Sequence, residues 1–311
     1  MPNENLRWLE RPTLREPIMI AAFAGWNDAS EVATTATKFL INQWHGRRFA
    51  AIEAEEFYVF TETRPTVRIV GSNQRRIDWP NNEFYHCASP DGARDYVILV
   101  GVEPQLRWQT FSSAVFEVAR EIGVSLLVTF GGLLADVPHT MPPHLSATAS
   151  SAKLQERLKL LQLLGTRYEG PTGILGVLGA AAREARIPSV SIWGSVPHYI
   201  STTGNPRVTS ALLTSFAGLF DLTLDLSELE RQSVAFDSQV NQAIAQNPEV
   251  ADYVRKLEQR EMGADDDDEP PASDQASAAP PTELPSSDVL LKEVEDFFRR
   301  SPGQPDEGKP E

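Results

Sequence analysis

Val128-Thr-Phe-Gly-Gly-Leu-Leu-Ala-Asp-Val-Pro-His-Thr-Met-Pro-Pro-His-Leu-Ser146 is the stretch on which the reading of the chain turns. Its first residues form the end of a buried strand, and the Gly131-Gly132 pair is expected to turn the backbone sharply. The loop that follows holds Asp136, His139 and His144 among three prolines. Proline fixes φ and gives up a backbone donor, so such a loop is stiff without being regular. A stiff polar loop at the carboxyl end of a strand is where open α/β proteins commonly bind ligands. An ordinary proline-rich connection with its histidines in water has the same sequence character, and the stretch alone leaves both readings open.

Working outward, apolar strand-like runs alternate with helical periodicity. Pro17 to Phe23 reads as a buried strand. Ala24-Gly-Trp-Asn-Asp28 turns the chain, and Asp28 with Glu31 resembles a capping box ahead of Val32, Ala36, Phe39 and Leu40 at helical spacing. Phe49 to Ala54 is the next strand. Val67 to Val70 and Arg75 to Trp79 flank Gly71-Ser-Asn73 as a hairpin or meander. Asp95 to Val100 is again buried strand, and Phe111, Val115, Val118 and Ile122 mark a helix ended by Gly123. Ser151 to Leu164 is amphipathic, Ile174 to Arg186 is a small-residue helix, and Ile187 to Trp193 is a strand running into a turn at Gly194 to Tyr199. Asn205-Pro206 and Asn247-Pro248 each open a helix, with proline at its favoured first position. Ser227 with Glu230 is a second expected capping box. This alternation predicts an α/β fold with a mostly parallel sheet covered on both faces by helices.

The expected organisation is an α/β domain over 1–226, a helical extension over 227–262, an acidic linker over 263–285, an amphipathic helix over 286–300 and a tail over 301–311. Of 43 acidic and 28 basic residues, 14 and 4 fall in residues 263–311, so that stretch carries −10 and the remainder −5 of the net −15. A mildly acidic body lacks the clustered Lys and Arg that nucleic-acid binding needs. No run reaches transmembrane length and no signal-peptide core opens the chain. With a single cysteine, Cys87, there is no disulfide framework and no Cys-based zinc cluster, and the expectation is a cytoplasmic protein that engages no membrane.

In a parallel sheet the loops at the strands' carboxyl ends meet at one edge. Gly25 to Asp28, Gly131 to His144, Gly194 to Tyr199 and the turn at Tyr168 to Gly173 are therefore expected to gather Trp26, Asn27, Asp28, Asp136, His139, Tyr168, Glu169, His198 and Tyr199. Such a set suits a polar small molecule or a subunit contact, and the sequence does not choose. Pro142 and Pro143 forbid the helix that would aim His139 and His144 at one metal, which argues against a metal site. There is no Gly-x-Ser-x-Gly elbow, no Walker A loop and no G-x-G-x-x-G fingerprint; glycines 170, 173, 176 and 179 read as close helix packing instead. No cofactor is expected. Asp136 with His139 has the composition of an acid–base pair, and equally of a hydrogen-bonded loop.

Five segments, in order, resemble the PAC2 family, named after proteasome assembly chaperone 2, in its actinobacterial branch. They are Phe23-Ala-Gly-Trp-Asn-Asp-Ala-Ser30, Gly101-Val-Glu-Pro-Gln-Leu-Arg-Trp108, Ala135-Asp-Val-Pro-His-Thr140, Tyr168-Glu-Gly-Pro-Thr-Gly173 and Ser191-Ile-Trp-Gly-Ser-Val-Pro-His-Tyr199. Met141 departs from the pattern, where arginine is expected. The resemblance implies a phosphorylase/hydrolase-like, nucleoside-phosphorylase-like fold. It also implies homo-oligomers such as trimers, with proteasome subunits as partners. The chain ends Gly308-Lys-Pro-Glu311, without the hydrophobic-Tyr-any tripeptide that some relatives use for docking. The expected function is a protein-binding, proteasome-assembly-chaperone-like role. A small-molecule-binding protein or a hydrolase/phosphorylase-like enzyme at the loop edge is the alternative, because fold by itself does not confer function.

Overall fold

The computed structural model describes residues 4–264, apart from 72–73, 89–91, 164, 166–167 and 202–203. The linker expected over 263–285 and the helix over 286–300 lie outside these residues, save for 263–264, which belong to a helix.

Ten strands are present among the described residues: β1 (Leu6–Trp8), β2 (Ile18–Ala24), β3 (Arg47–Ile52), β4 (Thr66–Val70), β5 (Gln74–Asp78), β6 (Asn82–Ala88), β7 (Asp95–Val102), β8 (Leu126–Ala135), β9 (Leu145–Ala149) and β10 (Ser189–Pro197). Eight of them form one sheet in the order β1-β3-β6-β7-β2-β8-β10-β9. Its centre, β7-β2-β8-β10, is parallel. Both margins are antiparallel, with β6, β3 and β1 on one side and β9 on the other.

The described residues also form seven α-helices: α1 (Val32–Gln43), α2 (Trp108–Glu121), α3 (Ala152–Leu160), α4 (Ile174–Glu184), α5 (Pro206–Phe220), α6 (Ser227–Ala245) and α7 (Pro248–Ala264). Period-two alternation sends Ile18, Ile20 and Ala22 of β2 to a core shared with α1 and α5, while Met19, Ala21 and Phe23 enter a second core under α2 and α4. Both faces are thus buried, which is why β2 reads as an uninterrupted apolar run. Each fully buried Ile, Leu or Phe contributes about 1.5–3 kcal/mol of transfer free energy. In the first core Phe130 meets Phe216 edge-on at 5.6 Å and 85°. Cys87 is 1% exposed, and burial pushes its thiol up to about 12, as befits a small core hydrophobe.

Several local expectations change. Gly131 and Gly132 do not turn the chain; they lie inside β8, paired with Trp193 and Gly194 of β10. Their value is close approach. A Cβ on Gly131 would sit 2.4 Å from the Trp193 ring, and one on Gly132 would sit 2.6 Å from Val32. Gly194 likewise belongs to β10, which continues to Pro197, and a Cβ there would meet Val208 at 2.4 Å. The two strands therefore run deeper toward the site than glycine punctuation suggested. In α4, a Cβ on Gly179 would meet nothing within 4 Å, so that glycine serves no helix packing, and the atoms nearest a Cβ on Gly176 belong to Thr172 just before the helix.

The two expected capping boxes are absent. Asp28 instead reaches over Glu31, itself left-handed at φ 53°, to accept from the Ala33 and Thr34 amides of α1. Ser227 turns its amide and hydroxyl to Asp225 rather than engaging Glu230. The Asn caps hold: Asn205 Oδ1 accepts from the Val208 amide and Asn247 Oδ1 from the Val250 amide.

Candidate functional site

The carboxyl ends of β2, β7, β8 and β10 do form one edge, and the expected residues divide there into two groups. The first surrounds the exit of β2. Gly25, at φ 131°, supplies a conformation that only glycine adopts freely, so that Trp26 swings out to 61% exposure while Asn27 and Asp28 turn in. Asn27 Nδ2 donates to Glu103 Oε1 at 2.6 Å, and the Ile174 amide at the start of α4 donates to the same oxygen at 2.8 Å. Glu103, at the end of β7, thus joins β2 to α4 and places its charge where a helix N-terminus favours it. The Asn27 carbonyl accepts from the Gly132 amide at 2.8 Å, tying this turn to β8.

Asp28 is buried and accepts from Ala33 N at 2.7 Å and Thr34 Oγ1 at 2.5 Å. Burial raises its pKa, and the hydrogen bonds from Thr34 and Ala33 oppose that rise. All of this holds a helix start in place. The carboxylate is occupied by donors of its own chain. Tyr168 and Glu169 are exposed; the Tyr168 hydroxyl donates back to the Pro171 carbonyl at 2.9 Å, which closes the turn on itself. That turn ends at Gly173, whose missing Cβ leaves room for the Asn27 side chain.

The second group lies beneath α6 and α7. His139 is 6% exposed. The Tyr199 hydroxyl accepts from the His139 amide at 2.8 Å and sits 2.9 Å from its Nδ1; Nε2 lies 3.1 Å from Asn241 Oδ1 on α6. An oxygen acceptor at Nε2 fixes the neutral tautomer protonated there, so that Tyr199 donates to Nδ1. Burial holds the imidazole below its ordinary value of 6.5 and raises the Tyr199 phenol. Nδ1 of His198 is 3.1 Å from Asp136 Oδ1 but off the line of a hydrogen bond, so this nitrogen is buried with no hydrogen-bond partner despite the contact. Tyr253 of α7 stands edge-on to both His198 and Tyr199, at 5.5 and 6.0 Å.

The proline loop is held down on every side. Arg207 of α5 donates to the carbonyls of His139 and Met141 and pairs with Asp237 of α6 at 3.3 Å. From α7, Arg260 donates to the Asp136 carbonyl at 2.8 Å, while Glu258 accepts from Thr140 at 2.6 Å. Beneath these contacts Tyr199 and Ile200 join Phe236, Val240, Ile244, Val250, Val254 and Leu257 in a third core. The loop itself borders a cavity of about 20 Å³. That is room for one water, against the several hundred Å³ of a ligand pocket.

At the proline loop the edge therefore borders no ligand-sized space, and a helical hairpin of the same chain closes its β8–β10 half. Glu103, Arg207 and Asn241 are the structural partners that the sequence did not single out. Glu103 lay in view as the acidic residue directly after a strand, but nothing local signals Asn241, which is 102 residues from His139.

These features define a class: a mixed α/β sheet whose strand-end loops are sealed by a helical extension. The profile of the PAC2 family matches residues 22–244, and the chain belongs to the PAC2 family. Among solved structures it is similar to a PAC2 family protein from Streptomyces avermitilis, at 41% identity and a TM-score of 0.70, over 76% of this chain and 99% of that one. It is likewise similar to a proteasome-assembly chaperone homologue from Mycobacterium tuberculosis, at 39% identity and a TM-score of 0.69, again over 76% and 99%. An archaeal proteasome activator from Pyrococcus furiosus shares the fold, at 19% identity and a TM-score of 0.62, over 76% and 97%. No curated protein matches the sequence. No described helix is long and apolar enough to cross a membrane.

Proposed function

We propose that this protein is a proteasome-assembly-chaperone homologue that acts in the cytoplasm, as a homo-oligomer, by binding proteasome subunits through its protein surface. The observation that carries the reading is the use already made of the site's chemistry. Both ring nitrogens of His139 and the carboxylate of Asp28 are taken up within the fold, and the loop between them and the helices borders a space the size of a water. A constellation spent on holding elements together serves a rigid binding body better than turnover, which needs a reacting atom within reach of a free acid or base. Family membership supplies the class of partner.

The test is reconstitution. Purified proteasome α and β subunits are mixed with and without the full chain, and assembly is followed by native gel and size-exclusion chromatography. Co-elution with α subunits and a faster appearance of complete rings are expected. Unchanged assembly kinetics together with no co-elution would sink the proposal.

A further inference from the structure

The β4–β5 hairpin belongs to no part of the large sheet. Its pairing sets Val67 opposite Ile77 and Ile69 opposite Arg75, so side-chain alternation puts these four on one face. The other face carries Arg68, Arg76 and Asp78, which pair among themselves. On the apolar face Val67, Ile69 and Ile77 are 56%, 73% and 52% exposed. A two-stranded hairpin whose apolar side stands this exposed is marginal in water, and three large aliphatic side chains across the strands form a patch that invites a cover.

Three features point to what covers it. The stretch 64–78 holds four arginines against a single aspartate, so a second copy of the hairpin would set like charges face to face. Residues 265–311 of this chain are strongly acidic, and within them Leu290, Val294 and Phe297 recur at helical spacing with Glu293 and Asp296 beside them. Reach also matches. Arg68, Arg76 and Ile77 of the hairpin line one cavity with Arg7 of β1 and Arg48 and Ala51 of β3, so the hairpin lies by that margin of the sheet. Arg260 of α7 bonds the loop after β8, and β8 stands five strand positions from β1, which is about 24 Å at the usual strand spacing. A flexible linker of 21 residues, the number in 265–285, has a root-mean-square span of about 25 Å, longer where like charges repel. A linker whose span matches the gap gives an effective concentration on the order of millimolar, enough to populate a modest contact.

We propose that residues 286–300 dock in cis on the apolar face of the β4–β5 hairpin, with the Leu290, Val294 and Phe297 stripe against Val67, Ile69 and Ile77 and the flanking acids toward Arg75. The hairpin is then a receptor for the chain's own tail, and a partner that takes either surface releases the other.

Disulfide trapping in the full-length protein tests this, since Cys87 is buried and leaves the introduced pair as the reactive thiols. In the Ile69→Cys/Val294→Cys double variant, mild oxidation is expected to link most chains internally, giving a faster-migrating band of single-chain mass. Adding Phe297→Asp is expected to cut that yield at least fivefold. Hydrogen exchange provides a second readout without cysteines: amides of residues 66–78 should exchange at least fivefold faster in Phe297→Asp than in the parent. A disulfide between two chains would assign the cover to a second copy and overturn the proposal. So would a yield no greater than that of an Ile69→Cys/Ser277→Cys control, or unchanged exchange.

Discussion

The clamp over the β8–β10 loops and the β4–β5 hairpin handle polar and apolar surface in opposite ways. The clamp buries an imidazole and a phenol and provides them with partners; the hairpin by itself leaves Ile69 and its aliphatic neighbours more than half exposed. Burying a polar group costs more than leaving it solvated unless every hydrogen bond is made, so the His139–Tyr199–Asn241 set is stable only with all its members present. Exposed aliphatic surface carries no comparable requirement, and it is free to be covered and uncovered. One region is therefore built to stay shut, and the other is suited to exchange.

The sharpest way to break the contrast is at the floor of the clamp. Gly131→Val would push a branched side chain into the Trp193 ring and prise β8 from β10, and is expected to destabilise the fold by about 3 kcal/mol, read as a lower urea midpoint with unchanged slope.

A smaller loss follows from removing the lid's central contact. His139→Ala leaves Tyr199 and Asn241 short of a partner and is expected to cost about 2 kcal/mol, with faster amide exchange concentrated in α6 and α7. The same residue sets a pH dependence. Because burial lowers its folded pKa, the unfolded chain binds protons below 6.5 that the folded chain resists, so stability falls as the pH drops from 6.5 toward the folded value. Urea titrations of the parent at falling pH should show that slope, and His139→Gln should flatten it.

The smallest effect belongs to the hairpin. Ile69→Ser is expected to move the unfolding free energy by no more than about 0.5 kcal/mol, since the hairpin itself leaves that side chain 73% exposed and the modest tail contact proposed for it comes apart before the two cores do. A loss as large as that of His139→Ala would erase the distinction between the two regions.

The sequence revealed what is local and periodic. The apolar run of β2, the helical spacing of α2 and α5 and the Asn-Pro helix starts all carry their cause within a few residues, and the PAC2 segments were recognisable in order. Glycine misled where its role was room rather than flexibility: Gly131, Gly132 and Gly194 look like turns because close approach to Trp193, Val32 or Val208 leaves no trace in neighbouring residues. The edge strands β1 and β9 are short and half-exposed, so they lack the apolar continuity that marks a central strand. For the candidate site, strand-end topology placed the four loops at one edge of the sheet. It could not show that the histidines face a helical hairpin, because the contacts of His139 to residues 199 and 241 depend on how distant helices pack.

The separation of His139 from Asn241 also has a consequence in time. Chains emerge from the ribosome at about 5–20 residues per second, so the 102 residues between them correspond to roughly 5–20 seconds in which the histidine exists without its acceptor. A nascent chain can lay down β2, β7 and β8 during that interval, but its proline loop stays open to solvent and to passing chaperones. Closure of α6 and α7 is therefore a late step of synthesis, and a message broken before codon 241 yields a protein with its sheet assembled and its edge unsealed.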